Sequence, residues 1–262
     1  MDTLLHVFSI FLLIFCRISA FFVVAPIFSS RGVPTTFKIG LSGIVAILVL
    51  MVQGTGQVIP NDLGYAIIII REVLIGLLMG FVATLIFYVI QIAGSFIDIQ
   101  IGFGIANVID PMTGASAPIL GNFNYLIATL LFLSINGHHY LLDAIIRSYN
   151  WIPLSNELFQ KIYNGNVSEF LITTFSQSFM LAFQMAAPLI VALFLTDVAL
   201  GFLARTAPQF NVFVIGIPLK IIVGLVVLLL LVSSFVYAFQ HLFEFMFKSL
   251  QNLLGVIGER PK

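Results

Sequence analysis

Charge is scarce in this chain: 11 Lys and Arg stand against 11 Asp and Glu in 262 residues, 8% in all and balanced to zero. A soluble domain carries roughly 25% charged residues. With no basic excess there is no field to hold nucleic acid. Cysteine occurs once, as Cys16 in an apolar run, which excludes an intramolecular disulfide and a thiolate metal cage. Its plain reading is a small buried hydrophobe. The sequence also lacks a GxSxG elbow, a P-loop, a paired catalytic carboxylate and a Cys/His dyad. An enzyme reading has nothing to stand on, and neither a cofactor nor a metal is expected.

Apolar residues fill the space that charge leaves, at 60% of the chain with 27 phenylalanines. About 20 apolar residues cross a bilayer as a helix. Six stretches qualify: Leu4–Phe28, Ile39–Ile59, Val73–Ile97, Ile119–Leu142, Phe170–Thr196 and Ile221–Phe243. The first has Asp2 ahead of it and no basic n-region, so it reads as a retained membrane segment, not a signal peptide. Arg17 inside it is costly unless it meets a carboxylate or water. The polar insert His138–Glu169, with Asp143, Arg147, Glu157 and Lys161, reads as a partly amphipathic excursion outside the lipid. The expectation is an all-α integral membrane protein: one domain of about six long hydrophobic helices in hairpins. Arg31 and Lys38 flank one loop, Arg205 and Lys220 another, and the positive-inside rule puts both in the cytoplasm.

The most distinctive stretch is Ile99–Gly121, IQIGFGIANVIDPMTGASAPILG, with Gly102, Gly104, Gly114, Pro111, Pro118 and Asp110 between two apolar blocks. Lipid cannot hydrogen-bond a peptide group, so irregular backbone there must be buried in protein or line an aqueous cavity. The stretch reads as a non-helical element beside a conduit. GFGIAN lacks the third glycine and the strand–turn–helix setting of a dinucleotide site.

Other candidates lie in the apolar blocks. Gly76 and Gly80 form a GxxxG pair on the face of Glu72, a spacing that lets two helices approach closely. Arg71 and Glu72 are adjacent, placed by the pattern at the start of that helix, and must find different partners. They read as an interfacial anchor or as a pairing that specifies a neighbouring subunit. Asp98, Asp110 and Asp197 are ionisable groups in or beside spans, candidates for subunit pairing or proton relay. Asp197, Gly201 and Arg205 share one helix face. Thr173, Gln177 and Gln184 form a polar stripe that suits protein or water better than lipid. His138 and His139 point about 100° apart on a helix, without metal-site spacing.

Five blocks in order carry a family resemblance: RISAFFVVAPIFSSRGVPTTFKIGLS (17–42), REVLIGLLMGFV (71–82), IQIGFGIANVIDPMTG, LFLSINGHHYLL (131–142) and DVALGFLARTAPQFNVFVIGIPLKI (197–221). Together they resemble the FliR family, flagellar export-gate proteins whose injectisome counterparts are called SctT. The resemblance implies a bacterial inner-membrane protein of the flagellar basal body. It further implies assembly with FliP-type and FliQ-type subunits, FlhB and FlhA as neighbours, and unfolded flagellar proteins as cargo. Residues 1–142 would be FliP-like, and a FliQ-like hairpin would occupy about 171–250, turning at Ala207–Gly216.

On the same resemblance, Gly102–Pro118 would be a plug in the closed channel. Gly102, Gly104 and Gly114 would give it backbone freedom, and Asp110–Pro111 and Pro118 its bends. Phe103, Ile105, Val108, Ile109 and Met112 would exclude water from the constriction. Arg71, Glu72, Gly76, Gly80, Asp197 and Gly201 would pack subunits. Arg205, Gln209, Asn211 and Lys220 would face partners around the hairpin turn, although Lys220 also reads as a boundary lysine that snorkels. The rival readings are a small-solute secondary transporter, whose inverted repeat is not visible, and a purely scaffolding assembly subunit.

Overall fold

Helix boundaries in this protein fall where glycine, proline and asparagine stop the backbone from continuing. The computed structural model describes residues 2–30, 32–53, 63–103, 118–154, 156–209 and 211–258, and among them it holds eight helices and no strand. These are α1 (Asp2–Val24), α2 (Thr35–Gln53), α3 (Leu63–Ile101), α4 (Ile119–Ser134), α5 (Gly137–Trp151), α6 (Leu158–Tyr163), α7 (Asn166–Thr206) and α8 (Val212–Ile257). Pro26 follows the end of α1 and Pro34 precedes α2, positions where a missing N–H does least harm. Asn136 adopts a left-handed φ of 58° between α4 and α5.

Each of the six apolar stretches carries a helix, but the edges move: α1 stops at Val24, four residues short of the expected Phe28. α3 begins at Leu63, so Arg71 and Glu72, expected at a helix start, lie two turns inside it. A charge-free window ends at that pair, whereas the chain supplies partners for both residues and keeps the helix going. Ile119–Leu142, expected as one span, is two helices broken at Ile135–Asn136, where the Asn-Gly dipeptide favours a turn. Among the described residues five helices are long and apolar enough to cross a membrane, and the broken pair α4–α5 makes a sixth candidate. With 39, 41 and 46 residues, α3, α7 and α8 measure about 58, 62 and 69 Å at 1.5 Å per residue. A hydrocarbon core is about 30 Å thick. These three helices extend well beyond it.

The chain forms two compact units, each drawn from separated segments. The first gathers Met1–Ile86, Asn136–Phe175 and Glu244–Lys262. Here α1 and the first half of α3 run parallel: Tyr65 Oη donates to the carbonyl of Ser9 (3.0 Å), and Thr84 Oγ1 to that of Val24 (2.5 Å). Gly76 and Gly80 face the α1 backbone, and a Cβ at Gly76 would collide with the carbonyl of Arg17. The excursion is amphipathic. α5 buries Leu141, Ile145, Ser148 and Tyr149, while Asp143 and Arg147 pair at 2.7 Å on its exposed face.

The second unit gathers Phe87–Ile135 and Ser176–Phe243. Phe87 is ringed by Tyr125, Phe132 and Phe243, with centroids 5.2–5.8 Å away. α7 and α8 form an antiparallel hairpin in which Leu193 lies by Gly224 and Leu200 by Gly216. α7 ends at Thr206 and α8 begins at Val212, a shorter break than the expected Ala207–Gly216. Gly216 lies inside α8, where its missing side chain admits Leu200.

Candidate functional site

The distinctive stretch begins and ends on ordered backbone. α3 closes with Gly102 in a left-handed φ of 103°, a conformation that favours glycine. The Gly102 N–H donates to the carbonyl of Ile99 (3.2 Å) and the Phe103 N–H to that of Asp98 (3.0 Å), a Schellman C-cap. The stretch returns at Pro118, the N-cap position of α4, which offers that helix no side-chain acceptor. Asp98 supplies it instead. Its carboxylate accepts from the Leu120 N–H (3.1 Å) and the Gly121 N–H (3.2 Å). Gly94 and Gly121 bring α3 and α4 into backbone contact, and Gln91 Nε2 donates to Asn122 Oδ1 at 3.0 Å. Of the expected plug residues, Gly102, Phe103 and Pro118 are described. Gly104, Ile105, Val108, Ile109, Asp110, Pro111, Met112 and Gly114 lie outside the described residues.

One side of α3's last turn meets the hairpin. Gln100 Nε2 donates to Asp197 Oδ2 (3.2 Å), and Lys220 Nζ reaches the same carboxylate at 3.0 Å. Lys220 is therefore engaged by α7, nine residues beyond the hairpin turn. At the turn itself Asn211 starts α8, its backbone carbonyl accepting from the Val214 N–H at 3.0 Å. Arg205 is exposed in the last turn of α7, where a cation complements the helix dipole, and Gln209 is exposed beside it. Gly201 faces open space.

A second cluster, inside the first unit, holds three charges that the lipid environment would reject. Arg17 Nε pairs with Glu72 Oε2 at 2.6 Å, both side chains fully buried. The rest of the guanidinium donates to Ser148 Oγ (3.1 Å) and the Ile152 carbonyl (2.9 Å), and it lies 4.1 Å from the centroid of the Tyr149 ring. Arg71 donates to the carbonyls of Leu154 and Asn156. Two arginines thus read alternate carbonyls of the segment after α5. Arg71, Glu72, Gly76 and Gly80, expected to pack subunits, all make contacts within this chain. The partners Ser148, Ile152, Leu154 and Asn156 carried no signal in the sequence beyond lying in the polar excursion.

The stripe of Thr173, Gln177 and Gln184 is exposed along α7, whereas Thr174 and Ser178 are buried. His138 and His139 have ring centroids 4.2 Å apart, and no group of three His, Cys, Asp or Glu among the described residues is placed to hold a metal ion.

A sequence profile described as "Bacterial export proteins, family 1" matches residues 8–246. The chain is 41% identical to the flagellar biosynthetic protein FliR of Bacillus subtilis (strain 168) over 258 residues, covering 98% of this chain and 99% of that one. It is 31% identical to flagellar biosynthetic protein FliR of Escherichia coli (strain K12) over 246 residues, 94% of this chain and 91% of the relative. Its identity to the surface presentation of antigens protein SpaR of Shigella flexneri is 29% over 258 residues, 95% of each chain.

Proposed function

The chain belongs to the bacterial export proteins, family 1, and from that premise we propose that it is a core subunit of the flagellar type III export gate. It is an inner-membrane component of the export apparatus in the flagellar basal body. Near-complete coverage at 41% identity to a flagellar relative carries this reading.

Helix length adds a physical reason for partners. Large apolar side chains are exposed along α7 from Ile172 to Leu203, a run of about 47 Å at 1.5 Å per residue. A hydrocarbon core of about 30 Å leaves part of that surface uncovered. Lipid cannot cover it all, so other protein does. FliP-type and FliQ-type subunits are the partners in this proposal, with FlhB and FlhA beside the assembled gate and unfolded flagellar subunits as cargo. Residues 1–142 act as the FliP-like part, and the α7–α8 hairpin as the FliQ-like part.

Within that gate, Gly102–Pro118 blocks the resting channel. A pore wide enough for protein must stay ion-tight, and apolar side chains such as Phe103, Ile105, Val108, Ile109 and Met112 exclude water from a constriction. Two experiments test the proposal. Removing the chain from its cell abolishes export of flagellin to the medium, and restoring it brings export back; normal export without it contradicts the proposal. Shortening residues 105–114 makes membranes leak ions while the gate still assembles; a tight membrane contradicts the blocking role.

A further inference from the structure

The α7–α8 hairpin carries an apolar band of bilayer length on its exposed face. Among the described residues, every exposed one between Gln184 and Arg205 on α7 is apolar, and the same holds between Asn211 and Ser233 on α8. The two spans measure about 32 and 33 Å at 1.5 Å per residue, against about 30 Å for a hydrocarbon core. Asp197 and Lys220 fall inside the band and pair with each other at 3.0 Å. A bilayer matched to it puts one headgroup layer at the hairpin turn and the other at Gln184 and Ser233.

A cavity of about 350 Å³ opens at that second level, within the second unit. Leu181, Met185 and Leu242 give it apolar walls, and Gln184, Tyr237 and His241 bring polar groups to it. Helical spacing sets it on the face of the band. Gln184, Pro188, Val191, Leu195, Val198 and Phe202 recur at steps of three or four on α7, as do Ile222, Val226, Leu230, Ser233, Tyr237 and His241 on α8. The cavity thus continues the surface that lipid covers.

Its polar groups are ready to donate. Gln184, Tyr237 and His241 are exposed, Tyr237 by 72%, and none of their side chains hydrogen-bonds to another described residue. An amide, a phenol and an imidazole each offer a donor. At headgroup depth, where tyrosine is enriched, the ester and phosphodiester oxygens of a phospholipid are acceptors. No charged residue lines the cavity, so it suits oxygens common to all phospholipids, whereas basic pockets select anionic headgroups. A neighbouring helix would meet these donors with backbone carbonyls already bonded within itself.

We propose that the cavity between Gln184 on α7 and Tyr237 and His241 on α8 is a phospholipid site. The glycerol ester and phosphate oxygens accept from the three donors, and an acyl chain lies on Leu181, Met185 and Leu242. Such a site depends on the membrane alone and holds whether or not the chain gates export.

The test uses the full chain co-expressed with its FliP-type and FliQ-type neighbours. The purified material is reconstituted in vesicles of phosphatidylethanolamine and phosphatidylglycerol. The probe is a phosphatidylethanolamine with a diazirine in its acyl chain, and mass spectrometry maps its adducts after illumination. Adducts concentrate on residues 181–185 and 237–242, several-fold above the band at 222–230, which any surrounding lipid reaches. Tyr237→Phe lowers labelling of the cavity about five-fold, the worth of one hydrogen bond, and leaves the band unchanged. Ala238→Trp fills the cavity, keeps all three donors and brings its labelling down to that of the band. If that variant fails to fold, the conservative Tyr237→Phe decides. Cavity labelling no higher than the band, or unmoved by Tyr237→Phe, overturns the site. A photoreactive residue at position 237 that captures a neighbouring subunit and no lipid overturns it as well, because the occupant is then protein.

Discussion

Arg17 on α1 and Glu72 on α3 are joined by a 2.6 Å ion pair that neither solvent nor lipid reaches. The pair resolves the cost of an arginine in an apolar span, and it reaches further through the guanidinium's other donors. Ser148 and the Ile152 carbonyl bind the same head group, so the polar excursion is fastened to the helices by the charge that the span could not leave unpaired.

Glu72→Gln removes the anion and leaves a buried guanidinium uncompensated. The expected loss is about 3–5 kcal/mol, the usual cost of breaking a buried pair from one side. Replacing both partners, Arg17→Met with Glu72→Leu, recovers most of it, because an apolar pair of similar volume needs no desolvation. Thermal unfolding of the purified protein in detergent measures both; equal losses in the single and double variants contradict the assignment.

Gly76 and Gly201 are both helical glycines, and they should respond in opposite directions. A Cβ at Gly76 meets the carbonyl of Arg17, so Gly76→Ala forces α1 and α3 apart and destabilises. Gly201 has nothing within 4 Å, so Gly201→Ala gains helix propensity, up to about 1 kcal/mol. Melting temperatures falling for the first and unchanged or rising for the second are the expected outcome.

Arg71→Lys keeps the charge and loses the fork. One ammonium cannot reproduce the two guanidinium contacts to the Leu154 and Asn156 carbonyls. Hydrogen exchange across residues 152–158 should quicken, with α1 unchanged. Unaltered exchange in that segment would show that the carbonyl contacts do not hold it.

Lys220→Ala should cost at most about 1 kcal/mol, because the Asp197 side chain is 42% exposed and solvent weakens the pair. The exchange Asp197→Lys with Lys220→Asp restores the attraction, and a double-mutant cycle on unfolding measures it. A swap no better than the sum of its single variants contradicts a direct pair.

Much of this arrangement was readable from residue types, and the unreadable part has physical causes. Arg17 announced that it needed a carboxylate, yet Glu72 lies 55 positions away, and only the parallel docking of α1 on α3 selects it. The Gly76–Gly80 spacing indicated a close helix contact, but a single chain's sequence does not separate a contact within the chain from one between subunits. Charge-free windows shortened α3, α7 and α8, because Arg71, Glu72, Asp197 and Lys220 are paired inside the fold and need not end a helix. Asp98 stood out as an acid at the edge of a span. Its capping role was visible only indirectly, in the absence of Ser, Thr, Asp or Asn at the start of α4.

The most direct test of the export-gate account is co-expression with the FliP-type and FliQ-type neighbours, followed by solubilisation, purification through a tag on this chain and mass spectrometry of the intact assembly. The account predicts one discrete complex containing all three proteins. A monodisperse single protein that retains neither partner would contradict it.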